Sequence, residues 1–226
     1  RLKKDKPDIM TGDLVHFLPT NENEGIIEEI LPRHSILHRP SIANINQVLL
    51  IMSIKQPDLS LGLLDRFLLQ IEAQGLQVII GLTKMDLYQE TNANKPLEYY
   101  EKIGYTVKYL SMADQNKDRE DLTNMMRNKI TVLAGPSGAG KSSLIQKFMP
   151  KENIQVGEVS EKIGRGKHTT KHAELLHWEN CFIADTPGFT SLSLKGWKVD
   201  EPKDYFPDFL KLNSDCKYKN SCIHQN

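Results

Sequence analysis

Short uninterrupted apolar runs alternate with polar, helix-spaced stretches through the middle of the chain. Residues 48–52 (VLLIM), 78–82 (VIIGL) and 130–134 (ITVLA) are apolar blocks with no internal alternation. Such blocks suit strands of a parallel sheet covered on both faces. Residues 61–73 carry apolar positions three and four apart, which predicts an amphipathic helix. Helices are also predicted over 97–103, 121–128 and from 143 onward, and strands over 105–110, 173–178 and 181–184. Strands alternating with helices on this scale predict an α/β fold. The first 44 residues differ. A turn at Gly12 leads into a strand ending at Phe17, residues 25–31 form a second strand, and Pro32 and Pro40 punctuate the exit. Two strands make no stable core. The expectation is that further strands precede Arg1 or that this piece packs on the next domain.

The block at 130–134 runs into Gly135, Pro136, Ser137, Gly138, Ala139, Gly140, Lys141 and Ser142, followed by Ser143 and the predicted helix. Strand, G-x-x-x-x-G-K-S, helix is the phosphate-binding loop. Its glycines let successive N–H groups face phosphate oxygens. The helix N-terminus adds partial positive charge. Lys141 supplies a full charge near the β- and γ-phosphates, and the Ser142 hydroxyl is a ligand for Mg²⁺.

Two further strand ends carry matching chemistry. The strand over 78–82 delivers Thr83, Lys84, Met85 and Asp86 at its C-terminal end, where open α/β sheets bind ligands. A carboxylate at Asp86 accepts from both N1–H and the 2-amino group of guanine. Adenine lacks that donor pair and leaves the carboxylate unsatisfied. The Lys84 stem covers the base plane, and Ser111, after the strand over 105–110, is placed near the guanine O6 edge. The strand over 181–184 ends in Asp185-Thr-Pro-Gly188. Asp185 there supports the Mg²⁺ shell, and the Gly188 N–H contacts a γ-phosphate. Each tetrapeptide alone is an ordinary strand-end turn; the three together read as a guanine-nucleotide site.

Composition narrows the setting. The 226 residues include 29 basic and 29 acidic side chains, so any basic patch is local. One such patch, Gly164-Arg-Gly-Lys-His-Thr-Thr-Lys-His172, follows the phosphate loop. No apolar run approaches the roughly 20 residues of a membrane span, so no membrane partner is expected. Three cysteines suit a reducing compartment. Cys181 falls in an apolar strand and reads as core. Cys216, Cys222 and His224 lie within nine residues and offer three metal ligands, or a tail with free thiols. The chain begins at Arg1 rather than Met and reads as a fragment.

The motif order is unusual, because the guanine motif precedes the phosphate loop. In common GTPases the phosphate loop comes first. The same sheet results if the chain is cut after the Asp185 turn and the old ends are joined between Ser111 and Ile130. That order, with Gly12-Asp-Leu-Val15, Leu63-Leu-Asp-Arg-Phe67, Gly164-Arg-Gly-Lys-His-Thr-Thr170 and Asp185-Thr-Pro-Gly-Phe189, resembles the circularly permuted, ribosome small-subunit-dependent GTPases of the RsgA/YjeQ family. The resemblance implies a β OB-fold, partial here, over 1–44, a permuted GTPase domain over 45–195, and the start of a zinc-binding tail over 196–226. It implies GTP hydrolysis stimulated by the small ribosomal subunit in late subunit maturation, with contacts to rRNA and ribosomal proteins. It favours zinc on Cys216, Cys222 and His224, the fourth ligand lying beyond Asn226. A monomer in the bacterial cytoplasm is expected, with a plastid or mitochondrion as the alternative.

For hydrolysis, Lys141 and Mg²⁺ supply charge, with Thr169 or Thr170 completing the shell made by Ser142 and Asp185. Phe189 stands where other GTPases carry a water-positioning Gln, and an apolar ring orients no water. His168 is the candidate for that task, or else it contacts only RNA or solvent. Thr83 replaces the usual Asn of the guanine motif, which predicts a weaker brace. Two rival readings remain: a kinase resembling guanylate kinase in its phosphate loop, and a non-catalytic RNA assembly factor that uses GTP as a conformational ligand.

Overall fold

The structure, a computed structural model, describes residues 8–22, 24–38, 41–88, 96–111, 115–148, 174–178, 180–185 and 205–208. The elements are β1 (Val15–Pro19), β2 (Gly25–Ile30), β3 (Ile36–His38), β4 (Ser41–Ala43), β5 (Gln47–Ser53), α1 (Leu61–Glu72), β6 (Gln77–Thr83), a 3₁₀ turn (Met85–Leu87), α2 (Glu98–Ile103), β7 (Thr106–Tyr109), α3 (Gln115–Met126), β8 (Ile130–Ala134), α4 (Lys141–Phe148), β9 (Glu174–Trp178) and β10 (Cys181–Asp185).

Six strands form one sheet in the order β7-β6-β5-β8-β10-β9. All neighbours are parallel except β9, which pairs antiparallel with β10. Every residue of β5 is buried, as a continuous apolar strand at the centre of a two-sided sheet requires. Its two faces feed two cores. Val48, Leu50 and Met52 pack with Phe67, Leu68 and Ile71 of α1, while Leu49 and Ile51 pack with Leu122, Leu133 and Leu144. Ser60 caps α1, accepting from the Leu63 N–H at 3.3 Å.

The N-terminal region holds two antiparallel pairs, β1-β2 and β3-β4. The second pair was not apparent from the sequence. It answers the core problem of the first 44 residues: Leu37 and Ile42, with Ile45 beyond, join the same core as β5 and α1. Asp13 and Arg33 tie the approaches to β1 and β3 through paired bonds of 2.6 and 2.8 Å, the Asp13 carboxylate being 2 % exposed. Burial acts against the Asp13 charge, but the Arg33 guanidinium outweighs it and holds the carboxyl below its ordinary range.

The first strand, β5, lies centrally; β6 and β7 build outward on one side, and β8 and β10 on the other. The build direction therefore reverses between β5 and β8. Crevices at such reversals, outside the carboxyl ends of the strands, are where α/β sheets hold ligands.

Candidate nucleotide site

The phosphate loop leaves β8 at this reversal. Gly135 has φ +129°, and a Cβ there would stand 2.0 Å from the carbonyl oxygen of Ile51 in β5. Only glycine permits the loop to turn this close to the central strand. Ala139 is fully buried, whereas Ser137 and Gly138 are exposed at the loop crest. The Leu144 N–H donates to Gly140 O at 2.8 Å and starts α4, so Ser142 and Ser143 sit exposed in its first turn. Lys141 Nζ donates to the carbonyls of Gly135 and Pro136, at 2.6 and 2.8 Å. Its charge is thereby held over the loop's own concavity. The dispositions of Gly135, Lys141 and Ser142 fit a polyphosphate with Mg²⁺: a glycine-only wall, a cation above it and a hydroxyl at a helix start.

The base turn leaves β6, one strand beyond β5. Thr83 is 2 % exposed, and its Oγ1 lies 2.6 Å from Ala139 O, to which it donates, and 3.1 Å from Met52 O, which shares the same proton. The shorter hydroxyl thus still braces the base turn against the phosphate loop, beside Gly140, whose φ of +100° favours glycine. Lys84 adopts φ +59°, and its Nζ donates to Gly138 O at 3.0 Å and to Gln56 O. Met85 N–H donates to Leu110 O at 3.3 Å, which seats the 3₁₀ turn beside the end of β7 and next to Ser111. Asp86 is exposed within that turn.

Asp185 ends β10 on the other side of β8, paired through its backbone with Glu174. The C-terminal ends of β6, β8 and β10 thus share one edge of the sheet, with Thr83, Gly135 and the backbone of Asp185 at or just beyond them. Gly188, His168, Thr169, Thr170, Cys216, Cys222 and His224 lie outside the described residues. Among the described residues no group of three or more His, Cys, Asp or Glu is placed to hold a metal. Cys181 is 1 % exposed and belongs to the core beneath α3 and α4, as its strand position predicts. Sequence reasoning missed the loop after β5, whose Gln56 carbonyl takes the Lys84 bond; the Gln-Pro-Asp turn residues were its only signal.

Residues 30–195 match the family model described as RsgA GTPase. The chain is 43 % identical over 228 residues to the small ribosomal subunit biogenesis GTPase RsgA of Alkaliphilus metalliredigens, covering all of this chain and 77 % of that protein. The Bacillus subtilis protein of the same name is 41 % identical, across 98 % of this chain and 75 % of its own length. Among solved structures, the circularly permuted GTPase YloQ superposes with a TM-score of 0.79 at 36 % identity, over 99 % of this chain and 72 % of that one. YjeQ from Thermotoga maritima gives 0.78 at 31 % identity, over 97 % and 74 %.

Proposed function

We propose how this chain, which belongs to the RsgA GTPase family, binds and hydrolyses GTP with the residues described above. It is a small ribosomal subunit biogenesis GTPase with a permuted α/β fold. The observation that carries the proposed site is the contact of Thr83 with Ala139. It joins the base turn to the phosphate loop across 56 positions of sequence, as one nucleotide spanning both requires.

In this reading the loop from Gly135 to Ser143 wraps the phosphates. A peptide unit's C=O and N–H point in opposite directions. Thr83, by holding Ala139 O, turns the Gly140 N–H away from β6. Lys141 leaves its loop carbonyls for the β- and γ-phosphates. Asp86 accepts from guanine N1–H and the 2-amino group, the Lys84 stem and Met85 flank the base, and Ser111 lies near O6. Ser142 with Asp185 and Thr169 or Thr170 would hold Mg²⁺, which when bound offsets charge on the transferring phosphoryl group. The Gly188 N–H faces the γ-phosphate, and His168 orients the attacking water.

The finer assignments rest on the same family likeness. We infer an OB-fold over 1–44, a GTPase domain over 45–195 and a zinc site on Cys216, Cys222 and His224 with a further ligand past Asn226. Arg165, Lys167 and Lys171 would read rRNA phosphates, coupling turnover to docking on the subunit late in its maturation. We further infer a monomer in the bacterial cytoplasm; among the described residues no helix is long and apolar enough to cross a membrane. The guanylate-kinase alternative loses its ground because the family match extends over both the base turn and the phosphate loop.

GTP turnover measured with and without purified small ribosomal subunits tests the reading. Stimulated release of phosphate from GTP, abolished by Lys141→Ala, is expected. Equal turnover of ATP, or turnover indifferent to the subunit, would overturn it.

A further inference from the structure

The segment after β5 lies between the two halves of the site and touches both. Ile54 N–H donates to Thr83 O at 3.1 Å. Gln56 O accepts from Lys84 Nζ, which also holds Gly138 O at 3.0 Å. The Pro57 ring faces the phosphate loop, its Cδ 3.4 Å from where a Gly138 Cβ would stand. Ser53 Oγ donates to Pro57 O at 2.7 Å, and Ser53 itself is 2 % exposed. Three residues after Pro57, Ser60 caps α1. The segment is therefore anchored at both ends and pressed against the crest of the phosphate loop.

We propose that residues 53–58 form a positioning loop of the nucleotide site, in which Ser53 holds Pro57 and the Gln56 carbonyl holds the Lys84 ammonium, so that both keep Gly138 in its phosphate-binding conformation. Ser53 acts through other residues and touches no nucleotide. The loop works by excluding alternatives. Lys84 has three donors on a flexible stem, and a fixed acceptor at Gln56 confines the ammonium to the place where it also reaches Gly138. The Pro57 ring closes the space into which the exposed crest would otherwise relax. The inference rests on the nucleotide reading above and adds a third support, carried by β5, to those already supplied by β6 and β8.

Dissociation constants for GDP and GMP separate this role from a general structural one. Ser53→Ala is expected to weaken GDP about fivefold, the scale of one net hydrogen bond, and to leave GMP much less affected, because the loop supports the β-phosphate end. In a double-mutant cycle, Ser53→Ala and Lys84→Met are expected to act less than additively, since both release the same loop. GDP affinity unchanged in Ser53→Ala, or strict additivity, would overturn the proposal. Should Ser53→Ala fold poorly, hydrogen exchange on the wild-type chain decides: GDP is expected to slow exchange over residues 53–60 together with 135–142, and slowing confined to 135–142 would overturn it. A wild-type chain that binds no guanine nucleotide in these assays would instead sink the nucleotide reading itself.

Discussion

The Thr83 hydroxyl lies 2.6 Å from the carbonyl oxygen of Ala139 and 3.1 Å from that of Met52. One short side chain thus spans three strands' ends: its own β6, the central β5, and the loop leaving β8. The bond is buried, so removing the donor strands a carbonyl away from water. Thr83→Val keeps the shape and deletes the hydroxyl. It is expected to weaken GDP binding about tenfold, at a cost on the order of 1–2 kcal/mol, with Thr83→Ser retaining most of the affinity. Calorimetric titration of the three proteins checks this.

Base discrimination is expected to follow Asp86. Asp86→Asn replaces a double acceptor with a group that donates on one side. Guanine then faces donor against donor, whereas xanthine, with a carbonyl at position 2, finds a partner. Competition binding should show GTP affinity falling by at least about 100-fold and xanthosine triphosphate overtaking it. An Asp86→Asn protein that still prefers GTP would place the base elsewhere.

Gly135 admits no side chain. A methyl at that position would stand 2.0 Å from Ile51 O, and at φ +129° the backbone conformation itself disfavours any L-residue. Gly135→Ala is expected to lower stability by about 3 kcal/mol or more, roughly a 6–12 °C drop in Tm for a chain of this size, and to remove nucleotide binding. Thermal denaturation followed by circular dichroism measures the first effect.

Stability at acid pH is expected to report on Asp13. Its carboxyl sits below the ordinary range because the Arg33 guanidinium hydrogen-bonds the charged form. A depressed folded-state pKa contributes stability that is fully present above the unfolded value of about 4. That contribution fades as pH falls below about 4 and through the folded value. Asp13→Asn should therefore lower Tm near neutrality and flatten its decline over this acid range. Parallel Tm profiles for the two proteins across that range would exclude the pair as an acid-sensitive link.

The core strands and the phosphate loop were readable because each carries a dense local signal. The blocks at 48–52, 78–82 and 130–134 lie inside β5, β6 and β8. α3 starts at Gln115, six residues before the predicted 121. Residues 115–120 are polar throughout, so apolar spacing offers nothing to count there. β3 and β4 have three residues each, too few to display a period. Their role is set by Leu37 and Ile42 entering a core assembled from distant segments. Thr83 shows the limit most directly. Its residue type implied a poorer brace, yet its hydroxyl meets a carbonyl 56 positions away, a contact set by the packing of the phosphate loop against the end of β6. The bridge from Lys84 to Gln56 and Gly138 likewise depends on three strand ends arriving at one place, which no single stretch of sequence encodes.

Because β5 stands between β6 and β8, it acts as the spacer that sets how far the purine grip lies from the phosphate grip. Two inter-strand steps fix that span at roughly 10 Å, and the register pairs Met52 with Leu82 on one flank and Leu50 with Ala134 on the other. A one-residue slip of this buried strand would slide the two grips apart along the sheet edge and turn its inward side chains about. Repacking deep within β5, well away from any ligand, is thus a route to mistuning the molecule's fit to GTP.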